Sequence, residues 1–81
     1  MTDYGHELLF GTFASPAATE AAQVVALAQE AEAAGLDVVT YQDHPYNAGF
    51  LDIYTLMAFV AARTTRISVS ANVTNLPLRP P

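Results

Sequence analysis

The sequence predicts an α/β fold of order β-α-β-α-β with parallel strands, and three observations carry that expectation. Three short runs rich in apolar or β-branched residues alternate with two helical stretches along 81 residues. Strands joined by helical crossovers run parallel, with right-handed connections. Apolar residues make up 52% of the chain and charged residues 14%, whereas disorder goes with low hydrophobicity and high charge.

Leu8-Leu9-Phe10-Gly11-Thr12-Phe13 is a strand-length apolar run bounded by the turn signal Ser15-Pro16, which predicts a first strand over 8–13. Residues 19–34 are dominated by alanine, the best helix former, with Gln and Glu between. Val24, Leu27, Ala28 and Ala31 follow the i, i+3, i+4, i+7 spacing of one helix face. Thr19 is placed to cap the start, and Gly35 stands where a helix ends on a left-handed residue. The β-branched and aromatic run 37–42 predicts the second strand. It enters a loop, Asp43-His44-Pro45-Tyr46-Asn47-Ala48-Gly49, marked by its Pro, Asn and Gly. Asp52 is a candidate N-cap for a second helix over 53–63, with Leu56, Phe59, Val60 and Arg63 on one side. Residues 67–73 alternate and predict a third strand. Asn75 to Pro81 is a proline-rich exit with no element expected.

The chain is short for its apolar content. A free-standing chain of this size buries only about 60% of the surface its unfolded form exposes, and with no cysteine it has no disulfides or thiolate metal sites to compensate. The expectation is that the chain either associates with something or is a piece of a larger protein. With right-handed crossovers and sequential strand order, both helices fall on one sheet face. The apolar excess is then expected mainly on the other face. Three βα strands are what the first third of a ~250-residue (β/α)8 barrel contains, so residues 1–81 read as a single N-terminal portion of a TIM barrel. A flavodoxin-like module would instead need the strand order 2-1-3.

Eight acidic residues face three arginines, Arg63, Arg66 and Arg79, for a net charge of −5. That balance argues against nucleic acid, which requires several cations to neutralise phosphates. Arg63 and Arg66 fall where the second helix ends and would complement its dipole. The longest uncharged apolar stretch, 53–62, is far short of the ~20 residues that cross a bilayer. Asp3, His6 and Glu7 at the start are unlike a basic leader. With no cysteine, these features point to a cytoplasmic chain with neither membrane nor nucleic acid as partner.

In parallel α/β folds the functional residues gather at the carboxyl ends of the strands. Three places qualify: 12–15, 43–46 and 71–75. His44 follows the second strand directly, and Pro45 keeps it out of the helical region. An imidazole titrates near neutrality and serves as acid or base; equally, a loop histidine can bond nearby backbone. Asp43 could partner it, but neighbours on an extended chain point opposite ways, so Asp43 could instead bond local amides. Asn72 and Asn75 suit the edge of a flat heterocycle such as a flavin, and they are also ordinary turn formers. Neither phosphate-binding glycine motif is present, nor a G-x-S-x-G elbow. His6 and His44 lack metal-ligand spacing, so no metal is expected.

Phe10-Gly11-Thr12-Phe13, Ala33-Ala34-Gly35-Leu36-Asp37, Tyr41-Gln42-Asp43-His44-Pro45-Tyr46, Phe50-Leu51-Asp52, Ala61-Ala62-Arg63-Thr64 and 72–81 together resemble the opening of the luciferase-like monooxygenases, flavin- or deazaflavin-dependent oxidoreductases built on a (β/α)8 barrel. The resemblance spans nearly the whole chain and covers the first three strands of that fold. It implies FMN or a deazaflavin coenzyme (F-420) in a complete enzyme that transfers hydride or activates oxygen. It implies that His44, with Asp43, acts in proton transfer beside the cofactor. Ala71-Asn72-Val73 resembles the segment that packs against the cofactor ring, where many members have a non-prolyl cis peptide. Thr12 and Phe13 fall where the first strand lines the pocket. Members hold the cofactor phosphate with loops late in the barrel, so the chain alone is expected to bind no cofactor tightly and to be inactive. The alternative is a non-catalytic partial barrel that self-associates through its exposed sheet face, as a homo-oligomer.

Overall fold

A computed structural model describes residues 5–79; Asp3 and the closing Pro80-Pro81 lie outside them. Three parallel strands, β1 (Gly11–Ala14), β2 (Val38–Tyr41) and β3 (Ser68–Ala71), form one sheet in the order β1-β2-β3. Helix α1 (Ala21–Ala33) connects the first pair and α2 (Ile53–Arg63) the second. The α/β class, the parallel strands and the sequential order agree with the sequence reading. That order excludes the 2-1-3 arrangement of a flavodoxin-like module.

All three strands are shorter than their apolar runs. Pairing opens where the Phe10 carbonyl accepts the amides of Asp37 and Val38, because β2 has no extended partner to offer before that point. Leu8, Leu9 and Phe10 therefore precede β1 and stay exposed. Gly11 begins the strand in a tight place: a Cβ there would meet the side chain of Val38 and, at 2.6 Å, its carbonyl oxygen.

Helix α1 opens through a 3-10 turn, Ala18–Glu20, with no side-chain cap, so Thr19 does not take the capping place expected of it. Its other end agrees with expectation. Gly35 sits at φ +92°, its amide donates to the Glu32 carbonyl, and the Leu36 amide donates to the Ala31 carbonyl, the paired bonds of a Schellman ending. Asp52 caps α2 by accepting from the amide and hydroxyl of Thr55. Arg63 does lie in the last turn of α2, with its guanidinium 4.5 Å over the Phe59 ring. Arg66 serves the other helix instead, donating to the Glu32 and Leu36 carbonyls at the end of α1. Glu32 answers it: one carboxylate oxygen accepts the amides of Thr65, Arg66 and Ile67. Those bonds hold its carboxyl below the usual carboxylate range. The end of α1 and the entry to β3 are thus fixed to each other.

Registered partners in a parallel sheet point to the same side, and neighbours along a strand to opposite sides. Val39 and Tyr41 are fully buried and Ala14 nearly so, packed with Val24, Ala28 and Ala31 of α1 and Ile53, Leu56 and Val60 of α2. Both helices therefore cover one face, as the right-handed crossovers require. Leu27 and Phe59 depart from the expected buried stripes and are exposed. Alanines at 28 and 31 let α1 lie close to the sheet, which leaves Leu27 on the flank.

The opposite face carries Gly11, Phe13, Val38, Thr40, Ser68 and Ser70. Of these only Phe13 is a large exposed apolar side chain. The expectation that the apolar excess lies mainly on this face is corrected: the serines of β3 point there, while Val69 and Ala71 pack toward the core. The exposed apolar groups lie chiefly before β1, on the outer sides of the helices and beyond β3.

Tyr41 is the largest fully buried side chain, and its hydroxyl has no hydrogen-bond partner among the described residues. Burial pushes its pKa up. A buried hydroxyl without a partner costs stability, so Tyr41→Phe, which keeps the ring, should raise stability by about 1 kcal/mol. Urea unfolding of the two proteins measures the difference.

Candidate functional site

Each strand ends by handing the chain to a loop on the same edge of the sheet, and these three loops are joined in pairs. The loops after β1 and β2 meet through backbone. Ala17 and Phe50 form an antiparallel bridge, with the Ala18 amide donating to the Gly49 carbonyl at 2.8 Å and Leu51 donating to Pro16 at 2.7 Å. The loops after β2 and β3 meet through side chains, and there Asp43 is central.

Asp43 is 3% exposed. Its carboxylate accepts from Arg79 at 2.7 and 3.2 Å, and from the Asn75 amide at 2.8 Å. Arg79 also donates to Asp52 at 2.9 Å and lies 4.4 Å over the Tyr54 ring. Tyr54 in turn donates to the Thr74 hydroxyl. One guanidinium thus joins the end of β2, the cap of α2 and the segment leaving β3. That segment, expected to hold no element, makes a 3-10 turn at Leu76–Leu78. The Arg79 hydrogen bonds hold the Asp43 carboxyl below the usual range, against a burial that would raise it. Asp52 is held down first by its Thr55 bonds and then by Arg79. Arg79 is pushed up by the same pairing.

Asp43 is therefore ionised and turned inward, and it makes no hydrogen bond to His44. Pro45 and the alternation of an extended chain send His44 the other way, half-buried. Its ring packs against Tyr46, with centroids 5.3 Å apart, and Phe50, at 6.0 Å. Its Nδ1 is 2.7 Å from the Tyr46 hydroxyl.

Just beyond β3, the Asn72 amide donates to the Tyr41 carbonyl, and the Asn72–Val73 peptide is cis. Asn72 and Val73 are exposed, Val73 at 74%. Ala71 is registered with Tyr41, so its side chain takes the helix-covered face and only its backbone borders the loops. Thr12 is likewise on the covered side, registered with Val39, while Phe13 faces the open side. Asn75 contributes its backbone amide to Asp43 rather than standing apart from the network. No group of three or more potential metal ligands comes together among the described residues, and no described helix is long and apolar enough to cross a membrane.

His44, Tyr46 and Phe50 pack together beyond β2, Asn72 and Val73 follow the neighbouring β3 at the same carboxyl edge, and Asp43 stays inside as support. Sequence reasoning missed Arg79 and Phe50, and it gave Tyr46 no role although it lies within the 43–46 segment. Tyr46 and Phe50 had a signal in their loop position, two and six residues beyond His44. Arg79 had none, because its partners lie 27 and 36 residues away.

A parallel sheet with its polar and aromatic groups gathered at the carboxyl ends of the strands is the layout of an α/β enzyme. The family model of the luciferase-like monooxygenases matches residues 2–81, and the chain belongs to that family of oxidoreductases. No curated protein and no solved structure gave a match.

The residues at this edge suit the ring of a flavin-type cofactor and not its phosphate. An exposed amide at Asn72, the apolar surface of Val73 and Phe13, and the His44 ring suit a flat heterocycle with a hydrogen-bonding edge. A phosphate finds no such match. The chain has no lysine; Arg79 is saturated by two aspartates, Arg66 by the end of α1, and Arg63 lies over Phe59 at the far end of α2.

Replacing Arg79 with Met leaves a buried carboxylate without its partner, so the variant should melt at lower temperature than the natural chain at neutral pH. Asp43 has a depressed folded-state pKa, so its contribution is present above the ordinary carboxylate value and lost as pH falls through the folded one. The gap between Arg79→Met and the natural chain should therefore narrow below pH ~4. Melting curves collected across that range measure it.

Proposed function

We propose that this chain forms the first three βα strands of a (β/α)8 barrel oxidoreductase, and that it contributes the His44 part of a site for FMN or a deazaflavin coenzyme. What supports this reading is that His44 follows β2 and Asn72 and Val73 follow the neighbouring β3, at one edge of the sheet, within a chain of the luciferase-like family. When bound, the ring supplies hydride transfer, or oxygen activation in the case of FMN. The residues of this chain do the rest. Asn72 and Val73, with the backbone of Ala71, would hold the ring, and Phe13 represents the first strand there in preference to the Thr12 side chain. His44 holds or moves a proton at its open ring nitrogen. Asp43 fixes the loop that carries His44 and does not itself exchange protons with substrate. The uncovered sheet face becomes barrel interior. The partners are then a small-molecule substrate and the remaining strands, in a cytoplasmic enzyme.

Self-association through the open sheet face, the competing reading, draws little support from the polar Thr40, Ser68 and Ser70 on it. A dry interface favours apolar residues at its centre.

Two experiments test the proposal. In the complete enzyme His44→Ala should lower kcat/KM about a hundredfold, the low end of what a positioned acid or base contributes, with an unchanged melting temperature; undiminished turnover removes His44 from the mechanism. Titration of the 81-residue chain with FMN should show no tight complex, because the one described arginine at the carboxyl edge, Arg79, is already paired with two aspartates. A stoichiometric, tight complex would overturn that part of the reading.

A further inference from the structure

The loop that carries His44 is built so that Tyr46 returns to it. His44 accepts the Asn47 amide at its carbonyl, 2.9 Å away, which closes a four-residue turn with Pro45 and Tyr46 at the centre. Proline is favoured at the first central position of such a turn. Tyr46 occupies the second with a negative φ, since no non-glycine described residue has a positive one. The turn is braced from beyond, where the Asn47 side chain accepts the Gly49 amide and the Asn47 carbonyl accepts the Phe50 amide. Phe50 then packs against the imidazole as well, with ring centroids 6.0 Å apart. The 2.7 Å contact between the Tyr46 hydroxyl and His44 Nδ1 is thus set by backbone.

The direction of that hydrogen bond follows from the two groups. A phenol is a stronger acid than the N–H of a neutral imidazole, and an imidazole nitrogen is a better acceptor than a phenol oxygen. In the neutral pair the hydroxyl therefore donates, Nδ1 is the acceptor, and the ring proton sits on Nε2. Nε2 makes no hydrogen bond to any described residue. We infer that Tyr46 is a positioning residue that holds neutral His44 in its Nε2–H form, so that the site is offered a hydrogen-bond donor rather than a base. A proton passed from Nε2 to a reacting atom is balanced by transfer of the Tyr46 hydroxyl proton to Nδ1. The phenolate oxygen then recovers a proton from water, to which Tyr46 is 70% exposed. The functional meaning of this inference rests on His44 belonging to the cofactor site; the ring geometry does not.

The chain has only two histidines, His6 and His44, and they make opposite use of Nδ1. His6 Nδ1 lies 2.6 Å from the Glu7 carbonyl, which can only accept, so that nitrogen carries a proton. Long-range proton–nitrogen NMR of the 15N-labelled full chain, in buffer alkaline enough to keep imidazoles neutral, reads both rings at once. The expected pattern for His44 is a pyridine-like Nδ1 and a pyrrole-like Nε2. In Tyr46→Phe the His44 Nδ1 signal should move toward that of an unbonded nitrogen and the second tautomer should appear, while the His6 signals stay in place. A protonated Nδ1 in neutral His44, or a ring pattern indifferent to Tyr46→Phe, overturns the inference. The amide spectrum of the variant reports whether it folds; if it does not, Tyr46→Leu, which offers Nδ1 no hydrogen-bond donor, must give the same tautomer shift for the inference to stand. A fixed tautomer together with normal turnover in His44→Ala would instead sink the cofactor-site reading and leave the ring assignment intact.

Discussion

The ion pair between Asp43 and Arg79 is the constraint on which the carboxyl edge of this sheet depends. A carboxylate placed almost wholly out of water is tolerable only when its oxygens are matched by donors, and Asp43 has three, two from Arg79 and one from the Asn75 amide. The match fixes the direction in which the chain leaves β3, because the residues after the strand must return over β2 to deliver the guanidinium. It also fixes His44 indirectly. With Asp43 held inward, the next side chain on an extended backbone must turn outward. The outward turn of the half-buried imidazole is therefore a consequence of the buried carboxylate beside it.

The amino-terminal edge of the sheet has a counterpart in Glu32. Its carboxylate takes three successive amides at the entry to β3, while Arg66 reaches back to the carbonyls that end α1. A helix terminus and a strand entry, each with unsatisfied backbone groups of its own, satisfy one another through two side chains. The helices and sheet are held between these two charge clusters, and the buried layer between them is almost purely apolar apart from the Tyr41 hydroxyl.

Most of the fold was legible in the sequence because it rests on local signals. The alanine-rich stretch, Gly35 at a helix end, Asp52 at a helix start and the alternation at 67–73 each act within a few residues. What escaped was set by pairing across distance. The first strand was misplaced by three residues at its start, because the apolar run says nothing of where β2 becomes available to pair. Leu27 and Phe59 looked like core by periodicity, and the small residues of α1 made the core narrower than periodicity allows. The site divided in the same way: His44 could be found from its place after a strand, whereas the role of Asp43 depended on an arginine 36 residues on.

The two seams between the carboxyl-edge loops differ in what they ask of a sequence. The first, between 16–18 and 49–51, is written in main-chain atoms, which every residue but proline supplies in full. The second rests on the forked pairing of a guanidinium with a carboxylate, which a lysine in place of Arg79 would not reproduce. Drift through related sequences should therefore pass freely across the first seam and stall at the second. The loop bearing the imidazole hangs between them, free to vary on one flank and anchored on the other. A lineage could reshape the β1 side of this edge without disturbing the backbone that carries His44.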